Sequence, residues 1–113
     1  MFAAHHHLSN LIVLIDYNHI QIEGNVDDVM SIDPLRAKLK AFNWNVREVD
    51  GHSFAELITV GQQAKTATDR PTAIICHTTP GKGVSFMENN YQWHGKPPNA
   101  QQTKQALLEL NRA

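Results

Sequence analysis

A chain of 113 residues is long enough for one small domain or for a portion of a larger one. Hydrophobic residues make up 42% and charged residues 19%, so a core can form and wholesale disorder is excluded. Ten Lys and Arg against eleven Asp and Glu leave a net charge of -1, which gives no electrostatic basis for binding nucleic acid or coating an anionic membrane.

Other classes fall on equally simple grounds. One cysteine excludes an intrachain disulfide framework and a multi-thiolate zinc site, and fits a reducing compartment. No apolar run approaches the roughly 20 residues of a membrane span. No basic stretch followed by an apolar core opens the chain, so a secretory signal is not expected.

In chain order, a short helix is expected at most within Met1 to His7. Consecutive helical residues point in different directions, so His5, His6 and His7 read as helix-end residues rather than a metal site. Leu11 to Ile15 is a short continuous apolar run closed by Asp16, the pattern of a strand buried on both faces. Asp33 and Pro34 suit the cap and first position of a helix carrying Leu35, Leu39 and Phe42 on one face. Trp44 to Val49 alternates as a second strand, with Phe42 and Trp44 expected in the core.

Ser53 to Glu56 has capping-box spacing, and Phe54, Leu57 and Ile58 give the following helix, to about Ala67, an apolar stripe. Thr72 to His77 is a third buried strand, with Cys76 inside it as an inert thiol. A Gly- and Pro-rich loop fills Thr78 to Pro98, and Asn99 can cap a last helix carrying Leu107, Leu108 and Leu110. The alternation of strand and helix predicts an α/β fold with a parallel sheet. Three strands are few for a sheet covered on both faces, so the chain is expected to be part of a larger domain.

Ligands of open parallel sheets sit beyond the carboxyl ends of the strands. Two segments qualify, Asp16 to Gly24 after the first strand and Thr78 to Gly83 after the third, and they are expected to converge on one edge. Asn18 offers a neutral oxygen of the kind a hard cation accepts, or serves as a turn residue. Gly81 and Gly83 permit backbone approach to a phosphate, or only make a turn; the spacing is not that of a Walker loop. His94 is a positioned acid, base or phosphate donor, or a surface histidine. Lys82 and Lys96 are possible phosphate contacts, or simply solvated.

The segment Asp16-Tyr17-Asn18-His19-Ile20-Gln21-Ile22-Glu23-Gly24, followed by Gly81-Lys82-Gly83-Val84-Ser85-Phe86-Met87-Glu88-Asn89-Asn90 and Tyr91-Gln92-Trp93-His94-Gly95, resembles the transketolases. The likeness is greatest to the N-terminal subunit of the split form and runs from Met1 to at least Leu110. It implies a partial three-layer αβα thiamine-diphosphate-binding fold with a mainly parallel sheet. On this likeness residues 1–113 are a single partial domain, the C-terminal portion of the family's thiamine-diphosphate-binding domain.

The resemblance also implies transfer of a two-carbon ketol unit between ketose and aldose phosphates, with thiamine diphosphate and magnesium, in the cytoplasmic pentose phosphate pathway. It maps a side-chain magnesium ligand onto Asn18 and a backbone carbonyl ligand onto Ile20. Ile22 matches an apolar residue packing on the cofactor, and Pro80 and Gly81 match a loop lining its site. His94 matches a catalytic histidine touching both the diphosphate and the sugar substrate. The implied partners are sugar phosphates and a C-terminal transketolase subunit or second protomer, with no nucleic acid and no membrane.

The family's Gly-Asp-Gly segment, its aspartate metal ligand and the glutamate that activates the aminopyrimidine are not in this sequence. The isolated polypeptide is therefore expected to be inactive. Other thiamine diphosphate enzymes, such as 1-deoxyxylulose-5-phosphate synthase, share the Asn loop but fit the later stretch less well. A non-catalytic partner-docking fragment and a simple phosphate-binding α/β domain are the alternatives from other classes.

Overall fold

The computed structural model describes residues 1–112. In chain order the elements are α1 (Phe2–His5), β1 (Ile12–Tyr17), β2 (Ile20–Gln21), β3 (Gly24–Asn25), α2 (Val26–Val29) and α3 (Leu35–Ala41). Then follow β4 (Asn45–Asp50), α4 (Phe54–Lys65), β5 (Thr72–His77), a 3-10 turn at Tyr91–Trp93, and α5 (Ala100–Leu110). The described residues form two compact units, one of Met1–Tyr17 with Ile32–Thr78 and one of residues 18–31 with 79–112.

The first unit is an α/β layer structure on a parallel sheet ordered β1-β5-β4. The strand with the longest buried run lies in the middle. Thr72 to Cys76 are all buried, because β5 alone has a strand on each side. On one face Ile74 and Cys76 pack with Val60 and Ala64 of α4, joined by Ile12, Val49 and Leu57. Cys76 is the inert thiol expected of this setting, and burial pushes its pKa up.

Several local expectations change. The run expected to be buried on both faces belongs to β1, an edge strand that continues to Tyr17, and Leu14 on it is 62% exposed. In α4 the core-facing stripe is Leu57, Val60 and Ala64; Phe54 and Ile58 are turned to one flank and exposed. The Ser53 hydroxyl oxygen does accept from the Glu56 N–H at 3.3 Å. The Glu56 carboxylate, however, accepts from Asp50 N–H at 3.0 Å instead of closing the box.

Asp33 does not cap α3. Its carboxylate accepts from the Tyr17 hydroxyl at 2.7 Å, its carbonyl accepts from Lys38 Nζ at 2.9 Å, and Pro34 takes the capping position. Leu35 and Leu39 are half-buried as expected, whereas Phe42 is exposed at the helix end and Trp44 only half-buried. His7 Nδ1 lies 3.0 Å from the Asp69 carbonyl oxygen, and the described residues contain no cluster of three or more His, Cys, Asp or Glu arranged for a metal.

The second unit holds a hairpin that hydrophobic periodicity does not announce. Ile20 pairs with Asn25 and Gln21 with Gly24, so Ile22 and Glu23 form a two-residue tip. Val26 of α2 is buried. The segment after β5 is a series of turns held by short hydrogen bonds. Asn89 N–H donates to the Pro80 carbonyl at 3.0 Å, and Gly83 N–H to the Glu88 carboxylate at 2.8 Å. The Glu109 carboxylate accepts from the Ser85 N–H at 2.6 Å and from its hydroxyl at 3.0 Å, tying the turns to α5. Asn99 and Gln102 form the full reciprocal capping box at the start of α5, as the cap residue predicts. Among the described residues no helix is long and apolar enough to cross a membrane.

Candidate functional site

The carboxyl ends of β1 and β5 are neighbours in the sheet, with Tyr17 in register with His77. Thr78 N–H donates to the Tyr17 carbonyl at 3.3 Å, and the Thr78 hydroxyl donates to the Asp16 carboxylate. The segments that leave these two strand ends, far apart in sequence, fold into the same second unit. All six residues singled out from sequence (Asn18, Ile20, Ile22, Pro80, Gly81 and His94) lie in that unit.

Asn18 is half-buried, and its Oδ1 accepts from the Ile20 N–H at 3.1 Å, the turn geometry that fixes this side chain. Val26 N–H donates to the His19 carbonyl at 2.9 Å, which makes His19–Val26 a hydrogen-bonded position of the hairpin. The adjacent Ile20–Asn25 pair is then the non-hydrogen-bonded kind. The Ile20 N–H and C=O therefore point away from β3, toward the side on which Asn18 Oδ1 lies. Asn18 Oδ1 is thus held against the Ile20 backbone on that side. Asn18 Oδ1 and the Ile20 carbonyl are both neutral sp² oxygens, the ligand type a hard cation takes.

Ile22 is 74% exposed at the hairpin tip. An isoleucine there serves no core. It lines an open groove of about 430 Å³ with Gln21, Glu23, Val29 and His94. The structure thus brings Ile22 and His94 together. Asn18, Ile20, Pro80 and Gly81 do not line this groove.

The neighbours of His94 are well anchored. Its N–H donates to the Tyr91 carbonyl at 3.0 Å, and Asn90 Oδ1 caps the 3-10 turn by accepting from Gln92 N–H at 3.0 Å. The adjacent Trp93 ring packs edge-on against Phe86 with centroids 5.3 Å apart, and Lys96 Nζ sits 5.2 Å from its centroid. Lys96 is thereby a partner of Trp93 in the structure, not simply a solvated lysine.

Gly81 has φ +71, and a Cβ there would lie 2.7 Å from the Met87 backbone. Its glycine is demanded by this turn. Gln21, Glu23 and Val29 line the groove without any motif that marks them in the sequence. The period-2 pairing around Ile22–Glu23 is the one signal available, hidden because the tip lacks the usual Asn-Gly or Asp-Gly.

The first unit's parallel sheet, ordered β1-β5-β4 and layered with helices, defines an α/β protein. The family is explicit in the sequence: residues 1–111 match the model for the transketolase, thiamine diphosphate binding domain. The chain belongs to that family.

It is 37% identical over 112 residues to a 6-deoxy-6-sulfo-D-fructose transketolase subunit of Clostridium sp. (strain MSTE9), covering 99% of this chain and 41% of that protein. It is 38% identical over 104 residues to an apulose-4-phosphate transketolase subunit of Phocaeicola vulgatus, covering 92% and 37%. The crystal structure of transketolase from Campylobacter jejuni superposes with a TM-score of 0.88 at 31% identity, covering 97% of this chain and 17% of that one. The chain spans about two fifths of the length of these curated subunits.

Proposed function

We propose that this chain forms one wall of the thiamine diphosphate and magnesium site of a transketolase, which moves a two-carbon ketol unit from a ketose phosphate to an aldose phosphate. The observation that carries the reading is the folding of the loops after β1 and β5 into one unit, with Ile22 and His94 on a common groove. The related subunits act, by their names, on a sulfo-sugar and on apulose 4-phosphate. The acceptor and donor of this chain accordingly belong to the phosphorylated or similarly anionic sugars. The reaction belongs, on this reading, to the pentose phosphate pathway of the cytoplasm.

The residues fit the cofactor chemically. Asn18 Oδ1 and the Ile20 carbonyl are the hard, neutral oxygens that magnesium takes beside a diphosphate. When bound, thiamine diphosphate supplies the nucleophilic carbon and the electron sink of the reaction. The chain's own groups bind and orient. Ile22 offers an apolar surface for the cofactor to rest on, and Pro80 and Gly81 form a turn at the site's margin. His94, the catalytic histidine of this reading, donates a hydrogen bond to the diphosphate or to a substrate hydroxyl and can hold or release a proton there.

Residues 1–113 are, on this account, the C-terminal portion of a thiamine diphosphate-binding domain. They work with a C-terminal subunit or second protomer and are inactive alone. The test is reconstitution. The chain is supplied with the part of the subunit length it does not span and with a C-terminal partner, and ketol transfer from xylulose 5-phosphate is measured. Activity in the reconstituted enzyme, with Asn18→Ala weakened in its magnesium and cofactor requirement and His94→Ala impaired in turnover but folded, supports the assignment. Unchanged kinetics in both variants overturns it.

A further inference from the structure

Strand β4 closes one side of the first unit's sheet. Asn45 N–H donates to the Pro71 carbonyl at 2.9 Å and Gly51 N–H to the His77 carbonyl at 2.8 Å. Odd-numbered residues of β4 therefore bond to β5, and Val46, Glu48 and Asp50 turn their N–H groups outward. Glu56 accepts the Asp50 N–H. The Val46 amide is left on the open edge.

Val46 lines a cavity of about 390 Å³ with Lys40, Trp44, Asn45, Arg47 and Arg70. Half of that lining is cationic, in a chain whose net charge is -1. The carboxylates beside it are already engaged. Asp69 accepts from Arg70 Nε at 2.7 Å and from Asn45 at 3.3 Å, and Glu48 is bound to Arg36 at 3.4 Å and lies 3.1 Å from His77 Nε2. Arg70 is further fixed by donating to Asn43 Oδ1 at 3.0 Å, which pre-positions its guanidinium. The Lys40 and Arg47 side chains and the Trp44 indole N–H make no hydrogen bond or ion pair among the described residues. A half-buried indole, a backbone N–H and two uncommitted cations thus converge on one concave surface.

We infer that this cavity binds a phosphorylated small molecule. Its phosphate oxygens are received by Lys40, Arg47 and the Val46 amide, and its body lies against the Trp44 ring. The donor set is the argument. Charge-assisted hydrogen bonds from a guanidinium and an ammonium favour a multiply charged oxyanion over a neutral ligand, and the indole adds a flat apolar wall. Arg70, held by Asp69, adds positive potential.

The test is a titration of the ¹⁵N-labelled chain with inorganic pyrophosphate, without divalent cations. Saturable shifts of the Trp44 indole and Val46 amide resonances are expected. Lys40→Gln and Arg47→Gln should each weaken the apparent Kd about tenfold, the scale of one charged hydrogen bond, while Lys65→Gln leaves it unchanged. Three results overturn the proposal: shifts that do not saturate, shifts confined to the Trp93 indole, or equal weakening by Lys65→Gln. Should a variant lose its native spectrum, the location and saturation of the wild-type shifts still decide.

Discussion

Ile74 shows how one position can carry the sheet. It is 1% exposed on the central strand and packs among Val60, Ala64 and Cys76. Ile74→Ala removes buried methylenes and leaves a cavity, with an expected loss of about 2–5 kcal/mol. Urea unfolding of wild type and variant checks it, provided both curves remain two-state.

At Gly81 the penalty is steric and conformational together. Gly81→Ala places a methyl 2.7 Å from the Met87 backbone at a positive φ. Its expected cost is on the order of 1–3 kcal/mol. A thermal melt reads the loss, and an unchanged Tm contradicts the turn geometry.

The residue scale also shows what a sequence exposes directly. Cys76 reads as an inert core thiol because a continuous apolar run surrounds it. Phe54 reads as core by the same apolarity and is instead 82% exposed, since hydrophobicity does not say which flank of a helix meets the sheet.

Elements are legible in the sequence where local chemistry alone decides them. Asn99 and Gln102 satisfy each other's backbone partners, so the start of α5 needs no tertiary information. The hairpin β2–β3 is not legible. Its Ile22–Glu23 tip carries none of the glycine or asparagine that announces such turns, and its two-residue strands are too short for alternation to register. Asp33 has the chemistry of a cap but not the role, because its partner, the Tyr17 hydroxyl, lies 16 residues away.

The turn between β5 and α5 carries a pH prediction. Glu109 has its pKa lowered, chiefly by the hydrogen bond from the Ser85 backbone N–H and then by Gln105. A depressed folded-state pKa contributes stability above the unfolded value and loses it as pH falls through the folded one. Acidification through and below the ordinary carboxylate range should therefore loosen the turns from α5. Hydrogen exchange at Ser85 reads this directly, and Glu109→Gln should flatten the response. Exchange at Ser85 that is the same in both proteins across that range contradicts the tie.

On the scale of the whole molecule, the two units divide the labour. The first is a parallel α/β layer with exposed apolar side chains at Leu14, Phe54 and Ile58. The second holds Asn18, Ile20, Ile22, Pro80, Gly81 and His94, the residues proposed for the thiamine diphosphate site. The parallel sheet is predictable because Thr72 to His77 and the two flanking strands repeat one strand-helix rhythm. Convergence of the two loops is predictable because ligands of such sheets gather beyond strand ends. Which side chains share a groove is not, for that depends on the hairpin register that turns Ile22 outward.

Exposed apolar residues at this density predict association. Light scattering of the isolated chain should show self-association, reduced when Phe54→Ser and Ile58→Ser are combined. A strictly monomeric wild type at high concentration contradicts that expectation.

The central claim is that Asn18 and His94 serve one cofactor. Calorimetric titration of the reconstituted enzyme with thiamine diphosphate, at several magnesium concentrations, tests it most directly. Saturable, magnesium-dependent binding is expected, which Asn18→Ala weakens at least about tenfold, in line with loss of an ionic contact, and which His94→Ala weakens without altering the magnesium dependence. Binding of equal affinity and equal magnesium dependence in wild type and both variants would contradict it.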